Sequence, residues 1–467
     1  MTFVGREKEI KDITERLHSN RFEGLFIYGR RRVGKSELIK ECIKRSDVKA
    51  ISYVCRESLF KDNFSSLCRI VTAAFDEEYL SFTKLEDLLT YVFRKAEKEP
   101  LILFIDEYPL LRAGAGKAGA AAVDSEFQIA IDQYRNTSNL KLILCGSYID
   151  MMKEIIEADK PLYGRFQYQL NLKPFDYYDA AKFFPSCSNV QKFEYYSCFG
   201  GIPYFLKEVR PEDGLESNIE RLLITPDSLL ENEIKLQLSK ELAKSEGLNT
   251  ILDAIGAGKK TYTDLNNIYG DGSHSNALYV INKLIDMELI EKISAINEPN
   301  NKKAQTYSIM DNMLDFYYSY LFRHSSERAV MSETGFYYKF VKRQLKDVFL
   351  PRQFEKAAKE FLIRMNRIDR VAPPFTSIGK YVYHDRVNNK NGEFDVVTED
   401  EDGFTYYECK YLSKKVDHTV INHEISQVEE LNVKFRQYGF FSKEGYRKEG
   451  ISEDIILYSL DDLYFLR

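Results

Sequence analysis

"GLFIYGRRRVGKSELIKECIKR", Gly24–Arg45, reads as strand, loop and helix, and this reading decides the fold. Gly24–Tyr28 is a short apolar run with the composition of a buried strand. "GRRRVGKS", Gly29–Ser36, fits the phosphate-loop pattern G-x-x-x-x-G-K-[ST] in full. Glycines let backbone N–H groups wrap phosphate oxygens with no Cβ in the way. The lysine reaches the β- and γ-phosphates, and the hydroxyl ligates Mg²⁺. The helix that starts there adds its positive end. Gly29, Arg30, Arg31, Arg32, Val33, Gly34, Lys35, Ser36 and Glu37 are therefore the candidate nucleotide contacts.

Two further strands support this reading. "PLILFIDEYPLL", Pro100–Leu111, is an apolar strand that ends in two carboxylates. Asp106 is expected to hold the Mg²⁺ and Glu107 to orient or deprotonate the attacking water. "LKLILCGS", Leu140–Ser147, ends in a hydroxyl at the carboxyl end of a strand, where parallel sheets bind ligands. Ser147 is either a γ-phosphate sensor or a turn serine. ATP and Mg²⁺ are the implied cofactors.

The rest of the composition sets limits. The chain has 467 residues, a length that fits about three domains. It holds 66 basic and 72 acidic residues, so net charge gives no whole-chain case for nucleic acid. Seven scattered cysteines without a CxxC pair read as free thiols in a reducing compartment. No secretory pattern and no membrane-length apolar run is visible, and a cytoplasmic protein is expected.

"FVGREKEI" (Phe3–Ile10), "GRRRVGKS", "LILFIDEYP", "LILCGS", "PLYGR" (Pro161–Arg165) and "GGIPYFL" (Gly200–Leu206) stand in one order along the first half of the chain. That half resembles archaeal-type AAA+ ATPases of the STAND class. The resemblance implies that Gly5 and Arg6 lie near the base, that Pro203 packs by the adenine, and that Arg165 approaches the γ-phosphate. A surface ion pair is the other reading of Arg165. "RAGAGKAGAAAVDSE", Arg112–Glu126, lacks a correctly spaced leading glycine, and Ala118 stands where Ser or Thr would bind Mg²⁺. It is expected to be a mobile loop rather than a second phosphate loop.

The middle turns helical from Leu172–Phe184, as a small lid would. Asn249–Ile293 then carries three short amphipathic segments split by turn signals at Gly256–Gly258 and Gly270–Ser273. β-like runs at Leu289–Ile296 and Ala304–Ile309 follow, a layout that resembles a winged helix. DNA binding through the helix near Ser275–Leu284 and a packing or partner-binding role both stay open, because acids are mixed with the lysines here.

Pro351–Met365 is an amphipathic helix. After it, "EFDVVTEDEDGFTYYECKY", Glu393–Tyr411, reads as a hairpin, and a further helix is expected at Val420–Leu431. Strict alternation puts Glu393, Asp395 and Val397 on one face, and Phe404, Tyr406, Glu408 and Lys410 on another. If the register aligns them, Asp395 and Glu408 approach. Two carboxylates ~4 Å apart repel by about 4 kcal/mol at an effective dielectric of 20, which calls for a cation or a proton. Lys410 is expected to compensate in part, and a metal to compensate further.

This constellation resembles the PD-(D/E)xK nuclease core. The resemblance implies Asp395, Glu408 and Lys410 as catalytic residues, Asp395 and Glu408 as metal ligands, and Glu355 as an extra acid. The chain departs from the pattern in having Phe394, not proline, before Asp395. A hairpin with merely solvated charges, and a degenerate nuclease fold that binds without cutting, remain alternatives. The expected architecture is thus α/β: a P-loop parallel-sheet ATPase core (1–172), a helical lid (173–245), a winged helix (246–325) and a restriction-endonuclease-like domain (326–467). DNA, a second copy of the chain or another protein are the candidate partners.

Overall fold

The computed structural model describes residues 3–77, 80–242, 247–269, 274–385, 390–431 and 435–465. The turn read at Gly270–Ser273 lies outside them. The chain forms two compact units, residues 1–174 and 175–467.

The first unit is built on five strands: β1 (Glu23–Tyr28), β2 (Lys49–Val54), β3 (Leu101–Asp106), β4 (Leu140–Gly146) and β5 (Tyr168–Asn171). They lie in the order β2-β3-β4-β1-β5, and every pairing is parallel. Alternation explains why the central strands are apolar throughout. Leu25, Ile27, Ile102, Phe104 and Ile143 pack on one face, while Phe26, Leu103, Ile105, Leu142 and Leu144 pack on the other. The order reverses beside β1, so the loop after β1 opens into a crevice at the carboxyl ends of the strands.

The expected mobile loop at Arg112–Glu126 is corrected by the structure. It is helical, with Tyr108–Gly114 followed by Gly116–Tyr134. Alanine is the best helix former, and the break falls at Gly116, whose φ of +72° suits only glycine well. The buried anchors Val123, Phe127 and Ile131 then bind the longer helix to the sheet's core.

The second unit opens with short helices, among them Asn189–Phe199, whose first turn is closed by a reciprocal Ser188–Gln191 cap. Helices Leu248–Gly256, Tyr262–Tyr269 and His274–Asp286 precede an antiparallel pair, β6 (Ile290–Ile293) and β7 (Thr306–Ile309). The long helix Leu350–Arg367 buries Phe354, Ala357, Ala358, Phe361 and Leu362, as its apolar period requires.

The last sheet contains β8 (Ser377–Asp385), β9 (Lys390–Asp400), β10 (Gly403–Lys410), β11 (Gln437–Ser442) and β12 (Ile456–Ser459). It is mixed: β8, β9 and β10 are antiparallel, and β11 and β12 add in parallel. Helix His418–Glu430 makes the crossover that a parallel β10–β11 pair needs.

Strict alternation fails at Asp395. Gly379 pairs with Val397 but Tyr381 pairs with Phe394, so Lys380 alone faces Asp395 and Val396. This β-bulge lets Phe394 and Val397 join one aromatic cluster, with Tyr406, while Val396 joins the core under helix Leu350–Arg367. Val397 therefore does not share a face with Asp395 as expected.

Candidate functional site

The phosphate loop is shaped by close packing. Gly29 has φ +149°, and a Cβ there would meet the Leu172 carbonyl oxygen at 2.3 Å. Gly34 has φ +96° and leads directly into helix Lys35–Ser46. Any side chain at Gly29 would push the loop away from β5's end. Val33 is buried in the core, and Arg32 adopts a left-handed backbone at φ +64°. Arg30 is buried, and Arg31 lies close enough to Lys35 to oppose its charge.

Lys35 is buried, and its ammonium is held inside the loop. It donates to the carbonyls of Gly29 at 2.8 Å and Arg30 at 2.9 Å, and to Ser147 Oγ at 3.0 Å. Burial lowers its pKa, with Cys145, Glu107 and Asp106 acting in the opposite sense. Ser147 Oγ in turn donates to Glu107 Oε1 at 2.5 Å, and the Ser147 N–H to Glu107 Oε2 at 3.2 Å. Glu107 sits in the left-handed region at φ +52°, immediately after β3. Ser36 Oγ donates to Asp106 Oδ2 at 2.5 Å.

These residues fit Mg²⁺ and a nucleotide triphosphate. A hydroxyl and a carboxylate in contact at a helix N-terminus offer two oxygen ligands, and Mg²⁺ bound to phosphates uses few from the protein. Glycine at position 29 lets the loop pack directly on the Leu172 backbone.

The other expected contacts have the following surroundings. Glu37 is exposed and pairs with Lys40 at 3.0 Å, on the solvent side of its helix. Arg6 is buried with a left-handed backbone, donates to the Lys173 carbonyl at 2.6 Å and pairs with Glu9 at 3.5 Å. Gly5 lines a recess of about 410 Å³ with Phe3, Glu7, Ile10, Thr14 and Arg45. Arg165 forms a two-pronged pair with Asp132, Nη2 to Oδ2 at 2.7 Å and Nε to Oδ1 at 3.1 Å. Pro203 belongs to the second unit, where it opens the short helix Pro203–Leu206.

In the second unit, the β9–β10 ladder runs from Gly403↔Asp400 to Tyr407↔Val396, and Glu408 and Asp395 follow just past its last pair. Two lysines meet these acids. Asp395 pairs with Lys380 at 3.3 Å, and the same ammonium pairs with Glu393 at 2.6 Å. Lys410 pairs with Glu408 at 2.9 Å and with Glu424 at 2.8 Å. Lys410 thus offsets the charge of Glu408 and also reaches the crossover helix, while Lys380 meets Asp395. Tyr406 also donates to Glu408.

Glu355 faces Asp395 and Glu408 from its helix. Burial first, then those carboxylates, push its pKa up to about 8, against the pull of Lys359 and Lys380. Among the described residues, no three His, Cys, Asp or Glu side chains converge as a metal cage. Lys380 pairs with Asp395, and Lys410 pairs with Glu408.

Sequence reasoning missed Lys359, Lys380 and Glu424. Only the helical spacing of Glu355 and Lys359 left a trace in the sequence. All seven cysteines are free, and among the described residues no helix is long and apolar enough to cross a membrane.

Residues 3–209 match a family described as an ATPase domain predominantly from Archaea. Residues 317–421 match a second family, archaeal and bacterial proteins of unknown function. The uncharacterized protein MJECL04 of Methanocaldococcus jannaschii is 33% identical over 383 residues, covering 81% of each chain. The uncharacterized ATP-binding protein MJ0423 of the same organism is 36% identical over 53 residues, 11% of this chain and 90% of that one. Among solved structures, the Walker-type ATPase PABY2304 of Pyrococcus abyssi aligns at TM-score 0.52 and 20% identity, over 68% of this chain and 96% of that one. Identity across four-fifths of a relative, on top of a phosphate loop whose lysine, hydroxyl and strand-end acid already meet, makes the chain a member of this family of archaeal ATPases, with an ATP-binding P-loop domain as its first unit.

Proposed function

We propose that the chain is an Mg²⁺·ATP-driven switch of the STAND type whose nucleotide state controls a nuclease-like, DNA-associated domain in its second unit. The observation that carries the switch is the chain of contacts from Lys35 through Ser147 to Glu107. A γ-phosphate that takes the Lys35 ammonium and the Ser147 hydroxyl removes the shorter of the two Ser147 bonds to Glu107 and leaves the N–H on Oε2. Glu107 is then free to orient the attacking water, so hydrolysis waits for a complete triphosphate. Ser36 and Asp106 would hold Mg²⁺, which would supply positive charge against the phosphates. Arg165 is read as the γ-phosphate arginine, and Gly5 and Arg6 as residues near the base.

The nuclease-like reading is supported by element order: a long helix, three antiparallel strands, a crossover helix and a parallel strand, with Asp395 and Glu408 both near Glu355. The three helices and hairpin from Leu248 to Ile309 are read as a winged helix. Incubation with plasmid, ATP and Mg²⁺ or Mn²⁺ tests the whole. Nicking by wild type and none by Asp395→Ala is expected; intact DNA in both removes the nuclease.

A second reading, a switch whose last domain binds without cutting and acts in assembly or through a protein partner, is favoured by the lysines already paired with Asp395 and Glu408. It is marked by a nucleotide-dependent change of mass in solution with no cleavage.

A further inference from the structure

We propose that Lys380, which meets Asp395, and the neighbouring Lys260 and Lys359 grip the phosphodiester backbone of a DNA strand, so that the helical region before β6 supplies part of the substrate contact. The proposal rests on reading the second unit as DNA-associated.

Three elements bring the lysines together. Lys380 projects from β8 onto Glu393 and Asp395. Lys359 lies one helical turn beyond Glu355 and faces both Glu355 and Asp395. Among the described residues it makes no hydrogen bond or ion pair with either. Lys260 precedes helix Tyr262–Tyr269, and its carbonyl accepts from the Tyr307 N–H at 2.8 Å, which fixes it beside β7. Its ammonium feels the repulsion of Arg352 and Lys380 and the attraction of Asp395 and Glu393.

The region is fastened to the sheet. Ala295 bridges Lys380 in parallel, and the Ile296 N–H donates to the Lys380 carbonyl at 2.7 Å. Asn297 donates to the Val382 carbonyl at 2.8 Å and accepts from the Val382 N–H at 3.0 Å. Lys260 is therefore held at the acids by backbone pairing and does not depend on a flexible approach.

Among the described residues Lys260 and Lys359 are half-buried ammoniums without an ion-pair partner, and burial lowers the pKa of both. A partly buried cation left unpaired is costly, and the oxygens of a phosphodiester supply the missing partners. Arg352 is committed to Asp315 at 2.6 Å and adds no free charge. Asp395 keeps 39% of its side chain exposed, so a strand can reach the cluster from solvent.

The test is fluorescence anisotropy of the full chain with short fluorescein-labelled DNA, single-stranded and duplex, in EDTA across a salt series. Lys260→Met and Lys359→Met should each weaken binding by about 3- to 10-fold. Each should also reduce the slope of log K against log salt by about 0.7–0.9, the share of one phosphate contact. If folded Lys260→Met keeps wild-type affinity and slope, the grip is overturned; that variant decides alone should Lys359→Met fail to fold. A wild type that binds neither DNA overturns it too. Plasmid cleavage separates the parent reading. Lysine-dependent binding without cleavage leaves the grip standing and removes the nuclease, whereas cleavage lost in Asp395→Ala with lysine-independent binding does the reverse.

Discussion

Ser147 donates its hydroxyl to Glu107 at 2.5 Å while accepting from Lys35 at 3.0 Å, so one side chain links the phosphate-binding cation to the candidate water-orienting acid. Replacing Ser147 with alanine cuts that link but leaves both end groups in place. Ser147→Ala should bind Mg·ATP nearly as wild type and hydrolyse it about 10- to 100-fold more slowly, the scale of one preorganised polar contact. Steady-state turnover beside calorimetric affinity checks this. Unchanged turnover reduces Ser147 to a turn residue.

Lys35 and Glu107 should separate binding from chemistry. Lys35→Ala removes the only ammonium seated in the phosphate loop, so the calorimetric heat of Mg·ATP binding should vanish. Glu107→Gln keeps a hydrogen-bonding group of the same size but no base. It should bind normally and lose about 10²–10⁴ in turnover. Wild-type turnover in Glu107→Gln would move the water-orienting role to another acid.

The Arg165–Asp132 pair distinguishes two fates for an arginine. An arginine that reaches the transferring phosphate is worth about 10³–10⁵ in rate, whereas a partly exposed pair contributes at most about 1 kcal/mol of stability. Arg165→Ala should lose at least about 10³ in turnover, and Asp132→Ala should not, because Asp132 only parks the guanidinium. Equal, small effects in both variants would leave a surface ion pair.

What the sequence made legible follows from how local each signal is. The phosphate loop needs Gly29, Lys35 and Ser36 at fixed spacing along one turn, so the chain displays it directly. Asp106 and Glu107 close an apolar run, and β3 ends at Asp106. The stretch Arg112–Glu126 misled because its glycines argue for a loop, while its alanines and the buried Val123 make a helix. The bulge at Lys380 was invisible for a different reason. It is a property of β8 and β9 together, and it decides which cation meets Asp395. Lys260 is more remote still, brought to the acids by the pairing of Ala295 and Ile296 with β8.

Glu355 gives the pH prediction. An ordinary glutamate ionises near 4.5, whereas burial and the nearby Asp395 raise Glu355 to about 8. Between those values the native chain holds a proton that the unfolded chain has released. Stability therefore falls as pH rises from about 4.5 to about 8, and the full penalty persists above that. Glu355→Gln cannot ionise and escapes the penalty. In EDTA its Tm should match wild type near pH 4.5 and exceed it by several degrees at pH 9, since about 1 kcal/mol shifts a domain of this size by a few degrees. Parallel Tm curves for the two proteins across that range would show that Glu355 ionises normally and that the carboxylates around it are less crowded than their geometry implies.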